Sequence, residues 1–238
     1  MVSAGYNFGA IDGVVIWSVY CEMFYYAAYP LLRFAHHWLK WKQITAVAYL
    51  SAGIVLWIHR DQNEFLNLGI WAASVVGLPC WLLGVMLAET TSAPWKVNRR
   101  VIKASRIGVY VLACLATVMR FHAGIGFPLS LVFFAIACYA WLRFEIAWRR
   151  EHPSPAWLEN GGAWSYSLYL LHLPASAIVT GWLADENSVW LRWSATIASA
   201  LLLSYAYYLA VEKPAHLLAK FLGGRADRIQ ARFLSDLR

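Results

Sequence analysis

Hydrophobic residues form seven long runs along this 238-residue chain, and short polar segments separate them. About 20 apolar residues are needed for a helix to cross the hydrocarbon core of a bilayer. The pattern therefore predicts seven membrane-spanning helices, of which the second and the fourth are short. Their predicted ranges are Ile11–Ala35, Gln43–Ile58, Leu66–Ala88, Ile107–Met119, Ile125–Leu142, Gly162–Ala184 and Val189–Val211.

Composition supports this interpretation, because 61% of the residues are hydrophobic and only 14% are charged. Soluble domains contain about 45–50% apolar and about 25% charged residues. We therefore predict an all-α fold, a polytopic transmembrane helix bundle that forms one domain over residues 1–222. In the remaining segment, residues 223–238, Ile229, Phe233 and Leu237 are four residues apart among basic side chains. This spacing predicts an amphipathic helix on the cytoplasmic membrane surface, although a solvated tail fits equally well.

Basic residues concentrate in every second connection between the predicted helices. Since cytoplasmic loops collect Lys and Arg, this distribution predicts a cytoplasmic C-terminus and, with seven spans, an N-terminus outside. It also explains the net charge of +7, so nucleic acid is not needed as a partner. The basic connections contain Arg33, Lys40 and Lys42, then Lys96, Arg99, Arg100, Lys103 and Arg106, then Arg143, Arg149 and Arg150, and finally Lys213 and the basic residues that follow it.

Motifs of soluble enzymes and metal proteins are missing from the sequence. The four cysteines lie in apolar runs, and no His or Cys pair has the spacing of a metal-binding motif. There is also no GxSxG turn and no glycine-rich phosphate-binding loop. We therefore expect no metal site.

Glu22 is an acidic residue in the middle of the first predicted span. An ionisable side chain at the centre of a bilayer costs about 2.5–3.5 kcal/mol on insertion scales, and such residues usually face the interior of a bundle. Helical spacings of three and four connect a polar and aromatic set of residues into one broad face, which includes Trp17, Ser18, Cys21, Glu22, Tyr25, Tyr26 and Tyr29. The pattern predicts that this face of the helix lines a cavity. The alternative is a structural carboxylate bonded to a Tyr or Ser of another helix.

The sixth predicted span contains a second polar stripe, formed by Ser165, Tyr169 and His172. Pro174 follows closely, and it kinks a helix and frees a backbone carbonyl because it has no N–H. An imidazole can accept a proton near neutral pH, which makes His172 a candidate for proton transfer. The alternative is a histidine that only satisfies a hydrogen bond.

Glu212, Lys213 and Pro214 come at the end of the seventh predicted span. Since a proline disfavours helix at the residue before it, we expect the helix to end here, at the cytoplasmic face. Glu212 could then pair with a basic loop or help to bind a soluble cationic group. A solvated helix end is the alternative.

Several of these segments, in this order, resemble the motifs of the integral-membrane acyltransferase 3 family. The match of Trp17–Tyr25 with Tyr29–Leu32 and the match of Trp164–Pro174 are specific, the other two are weak taken alone, and together the segments cover nearly the whole chain. They are Trp17–Tyr25 with Tyr29–Leu32, Leu82–Ala88, Trp164–Pro174 and Val211–Pro214.

The resemblance implies an enzyme that moves an acyl group, acetyl above all, from acyl-CoA to a hydroxyl of a cell-surface or exported carbohydrate. It also implies contact with membrane lipid and a place in the bacterial inner membrane. Trp17, Ser18, Glu22 and Tyr25 would line the cavity. Ser165, Tyr169 and His172 would line it as well, or orient the reactants. Arg99, Arg100, Lys103 and Glu212 would lie on the cytoplasmic side, where the donor binds.

The sequence departs from the family pattern in two respects. Met23 stands where many members carry a second glutamate. Family members also begin with helices that carry an arginine and the histidine taken as the catalytic base, and no histidine here matches it. We therefore expect a truncated form that starts at the fourth family helix, with an unknown catalytic residue and with the missing helices supplied in trans or in cis.

Two other classes of function remain open at this point. The chain could be a non-catalytic remnant or a partner subunit that keeps the fold without the chemistry. It could also be a membrane transporter. A retinal photoreceptor would fit the number of spans, but the only lysine near the last helix is Lys213, at the predicted membrane edge.

Overall fold

A computed structural model describes residues 8–90, 96–184, 188–221 and 223. The described segments form helices joined by short connections, and none of them contains a β-strand. This confirms the all-α fold class. The helices are α1 Phe8–Ala35, α2 Trp41–Ile58, α3 Phe65–Thr90, α4 Arg99–His122, α5 Phe127–Glu151, α6 Ala156–Ala163, α7 Ser165–Trp182 and α8 Val189–Tyr207. The predicted amphipathic tail, residues 223–238, lies outside the described residues except for Gly223.

Long apolar helices make the chain an integral membrane protein. Among the described residues, five helical segments are long and apolar enough to cross a bilayer. The two remaining long helices, α1 and α7, coincide with the first and sixth predicted spans. The five segments are Trp41–Ile58, Asn67–Glu89, Arg99–His122, Phe127–Glu151 and Val189–Phe221.

Contacts divide the chain into two compact units. The larger unit runs from Ile16 to Ser154 and contains most of α1 together with α2–α5. The smaller unit consists of Met1–Val15 and Pro155–Arg238, and its described part includes α6, α7 and α8.

In the larger unit, α1 packs closely against α3. The hydroxyl of Tyr25 donates a hydrogen bond to the carbonyl oxygen of Ser74 at 2.9 Å, and Tyr25 is 6% exposed. Gly77, one turn further along α3, permits this approach, because a Cβ atom there would collide with the Tyr25 hydroxyl. Gly69 interrupts the start of α3 with φ 73° and ψ 163°, a backbone conformation that is essentially restricted to glycine.

Polar contacts at the two ends of the larger unit join α4 and α5 to the other helices and to each other. At one end, the Phe127 amide donates to the Asn63 carbonyl at 2.8 Å, and Arg120 pairs with Glu64 at 2.8 Å. At the other end, Glu145 of α5 accepts hydrogen bonds from Arg106 of α4 and from Arg149. The α2–α3 and α4–α5 connections therefore share one end of this unit, opposite the basic ends of α4 and α5.

The smaller unit is held together by close packing of α7 against α8. Its buried residues have small side chains, and they include Ser167 and Ala175 of α7 and Ala200 and Ser204 of α8. Small residues let helix backbones approach closely in a membrane, where packing replaces the hydrophobic driving force of water. This packing fixes the register between the two helices.

The last helix does not end at Lys213, so that prediction is wrong. The chain passes from α8 into a π-helical segment, Tyr208–Glu212, and continues as α-helix over 213–221. In the π segment the Lys213 amide bonds to the carbonyl of Tyr208, five residues earlier. This wider turn relieves the clash that the Pro214 ring would otherwise make with the carbonyl four residues before it.

Candidate functional site

Two of the predicted cavity residues of α1, Trp17 and Tyr25, pack against α3. The Trp17 ring stacks on Phe65 with centroids 4.5 Å apart and an interplanar angle of 13°. Tyr25 is buried, and its hydroxyl is bonded to Ser74. These two aromatic side chains hold α1 in place, and the face that they occupy is the packed interface of the larger unit.

Glu22 lies beside this interface and is partly exposed. Its carboxylate accepts a hydrogen bond from the hydroxyl of Tyr26 at 2.9 Å, and Tyr26 is one turn further along the same helix. Within the described part of the chain, Glu22 is therefore not bonded to a Tyr or Ser of another helix, which was the alternative. Ser18, one turn earlier, is also partly exposed. The Glu22 carboxylate can accept further hydrogen bonds, including one from a ligand.

Ser165, Tyr169 and His172 do form one stripe, and in the smaller unit it faces α8. The three side chains line a cavity of about 490 Å³ together with apolar residues. The other lining residues are Leu168 of α7 and Ile197, Ala200 and Leu201 of α8. The wall is thus mostly apolar, with the polar groups on the α7 side.

The hydrogen bond of His172 determines which ring nitrogen can act as an acceptor. Nδ1 lies 2.7 Å from the carbonyl oxygen of Tyr169. A carbonyl oxygen only accepts, so Nδ1 carries the proton, and Nε2 of the neutral ring has a free lone pair. Ser165 is less available, because its hydroxyl donates to the Gly162 carbonyl at 2.8 Å. His172 is therefore the residue of the stripe best able to accept a hydrogen bond from a substrate hydroxyl.

Glu212 is not a solvated helix end, and the structure corrects that expectation. Its side chain is only 11% exposed and accepts a hydrogen bond from the hydroxyl of Ser167, which is fully buried. His216 Nε2 lies 3.8 Å from the same carboxylate. Sequence reasoning placed Ser167 and Glu212 in two separate motifs and missed the contact between them, because nothing in the spacing joins α7 to the turn after α8.

Arg99, Arg100 and Lys103 are exposed in the first turns of α4. Asn98 caps this helix by accepting a hydrogen bond from the Arg100 amide at 3.0 Å. A helix N-terminus attracts anions, and these three exposed cationic side chains strengthen that attraction. Arg106, in contrast, binds Glu145 at 2.7 Å and is already neutralised.

The sequence-predicted residues thus form separate groups in the structure. Trp17, Ser18, Glu22 and Tyr25 belong to the larger unit, as do the cationic residues of α4, whereas the α7 stripe and Glu212 belong to the smaller unit. Among the described residues, no three His, Cys, Asp or Glu side chains are placed to hold a metal ion. These candidate residues therefore offer the oriented imidazole of His172, the accessible carboxylate of Glu22 and the cationic surface at the start of α4.

Comparison with known proteins identifies one match. Residues 5–209 match a family model, Acyl_transf_3, that is described as an acyltransferase domain. No curated protein and no solved structure matches the chain.

Proposed function

Because the chain belongs to the acyltransferase 3 family, we propose that it takes part in O-acylation of a carbohydrate in the bacterial inner membrane. The donor is an acyl-CoA, acetyl-CoA above all, and the acceptor is a hydroxyl of a cell-surface or exported glycan. The observation that carries the proposal is the family match over residues 5–209 in a chain of membrane-spanning helices.

The reaction needs a base, an oriented hydroxyl and a stabilised oxyanion. The acceptor oxygen attacks the thioester carbonyl, a C–O bond forms, and the C–S bond breaks. The hydroxyl proton goes to a general base and from there to the departing thiolate, so coenzyme A leaves as the thiol.

His172 orients the acceptor in this proposal. The free Nε2 of His172 accepts a hydrogen bond from a sugar hydroxyl, because Nδ1 is held by the Tyr169 carbonyl. Holding the hydroxyl in an attacking geometry converts an encounter between two molecules into a reaction within one complex.

The donor binds at the basic end of the larger unit. Arg99, Arg100 and Lys103 are exposed there and attract the phosphates of coenzyme A. Cytoplasmic loops are rich in Lys and Arg, so this end faces the cytoplasm, where acyl-CoA is available, and the α2–α3 and α4–α5 connections face outward.

The test is an assay in liposomes that contain the protein as its gene encodes it. Labelled acetyl-CoA is supplied on one side, and label on the glycan is measured before and after mild alkaline hydrolysis. We expect alkali-labile label on the glycan with release of one free thiol for each acetyl group. Glycan flux without thiol release would instead identify a transporter, and no label at all would contradict the proposal.

A further inference from the structure

We propose that a cleft at the end of the larger unit opposite the basic residues of α4 is a binding site for a pyranose ring. The cleft lies between the α2–α3 and α4–α5 connections and has a volume of about 400 Å³, which is within the range of small-ligand pockets. Its polar and aromatic lining residues are Trp57, His59, Arg60, Gln62 and Asn63.

Two short connections form the cleft, and hydrogen bonds hold both in place. The backbone N–H of Gln62 donates to the backbone carbonyl of His59 at 2.9 Å, and the backbone N–H of Phe127 donates to the backbone carbonyl of Asn63 at 2.8 Å. Gly126 lies so near Asn63 that a Cβ atom there would be 3.1 Å from the Asn63 Cα. The ion pair between Arg120 and Glu64 supports the same junction. The cleft is therefore formed before any ligand arrives.

The lining has the two features that a sugar ring requires. Trp57 is 74% exposed, and its indole offers a flat apolar surface for the C–H face of a pyranose. The Arg60 guanidinium lies over one side of the Trp57 ring, 5.9 Å from its centroid, and contributes hydrogen-bond donors there. The side chains of His59 and Gln62 form no hydrogen bond within the described part of the chain, so they can bind hydroxyl groups. An interfacial tryptophan that only anchors the protein in lipid would not need these neighbours.

None of the described residues that line the cleft carries a carboxylate, and the nearby Glu64 is paired with Arg120. The available groups donate and accept hydrogen bonds without a negative charge, which suits a neutral sugar or a uronic acid. We identify this sugar as part of the acceptor glycan, and that identification rests on the proposed function. Binding itself can be measured without acyl transfer.

Binding is tested with the full chain in nanodiscs and with radiolabelled tetrasaccharides of glucose, N-acetylglucosamine, rhamnose and glucuronic acid. We expect saturable binding of at least one of them. Trp57→Ala should weaken it about tenfold, the loss expected for a stacked ring, whereas Trp57→Phe should retain most of it. Gln62→Ala should weaken it roughly threefold, as expected for one lost hydrogen bond.

Trp38→Ala is the matched control. Trp38 is 69% exposed and precedes α2, whereas Trp57 is near the other end of that helix. Binding should be unchanged in this variant. The inference is overturned if none of the four sugars binds to the folded chain, or if Trp57→Ala and Gln62→Ala bind as well as the wild type.

The acyl-transfer assay separates this inference from the proposed function. If sugar binding depends on Trp57 but no acyl group is transferred to any glycan, the proposed function fails and the cleft remains a saccharide site. If transfer occurs and Trp57→Ala leaves the acceptor KM unchanged, the inference about the cleft fails and the proposed function remains.

Discussion

The hydroxyl of Ser167 donates a hydrogen bond to the carboxylate of Glu212, 45 residues later in the chain. This contact joins α7 to the π-helical segment that follows α8, and both residues are almost inaccessible. A carboxylate in such a place is costly unless it is hydrogen-bonded. The contact therefore explains how an acidic residue is tolerated where the helix widens before Pro214.

Removing the Ser167 hydroxyl should destabilise the smaller unit. Ser167→Ala leaves the buried carboxylate without its described donor, which costs about 1–3 kcal/mol for a charged partner. We expect a lower apparent Tm of the purified chain in detergent. Ser176→Ala is the control on the same helix, since the Ser176 hydroxyl has no partner among the described residues, and its Tm should match the wild type. Equal Tm values for the two variants would contradict the assignment.

Gly77 and Tyr25 should behave as a coupled pair. Gly77→Ala forces its new methyl group against the Tyr25 hydroxyl, so it should destabilise the chain by about 1–3 kcal/mol, as overpacking does. Tyr25→Phe removes the obstructing oxygen. In that background Gly77→Ala should be neutral or stabilising, because alanine favours helix over glycine by about 1 kcal/mol.

Gly84→Ala is the control for this pair, since a Cβ atom at Gly84 meets nothing within 4 Å. It should not lower the Tm in either background. Additive effects of Gly77→Ala and Tyr25→Phe, measured as a double-mutant cycle, would show that the two residues do not touch.

The basic residues of α4 should divide into two classes. Arg99→Ala and Lys103→Ala remove exposed cations, so we expect a KM for acyl-CoA raised several-fold at low salt and an unchanged Tm. Arg106→Ala leaves Glu145 with fewer partners and should lower the Tm. If Arg106→Ala raised the KM without any effect on Tm, the ion pair would not have the structural role given to it.

His172 should affect transfer and not stability. Its ring is exposed, and its described hydrogen bond is to its own helix. His172→Phe should therefore lower kcat/KM about tenfold, the loss of one positioned hydrogen bond, at an unchanged Tm. His122→Phe, at the exposed end of α4, is the control and should transfer normally. A Tm drop that fully accounts for lost activity in His172→Phe would argue for a structural histidine.

The positions of the helices were predictable because the length of a hydrophobic run is a local property. All seven predicted ranges overlap a long helix, and the stripe of Ser165, Tyr169 and His172 follows directly from helical spacing. The fourth span was predicted as Ile107–Met119, and α4 extends from Arg99 to His122. Charged residues end a hydropathy run but not a helix, so the run marks only the apolar part.

Long-range contacts could not be read from the sequence. Helical spacing placed Tyr25 on the same face as Glu22, but only packing against Ser74 and Gly77 makes that tyrosine a buried residue. The continuation of the last helix beyond Pro214 depends on the π-helical turn, which no local propensity signals. The cleft between the α2–α3 and α4–α5 connections likewise requires two segments that are far apart in sequence.

The central claim is tested most directly by glycan acylation in cells. The gene is returned to a host strain that lacks it, either as wild type or as a His172→Ala variant. Alkali-labile acetyl groups on the purified surface glycan are then measured, with membrane levels of the two proteins matched. We predict acetylated glycan in the wild type and about a tenfold loss in the variant, as expected when one positioned hydrogen bond is removed. Equal acetylation in both strains would contradict the account.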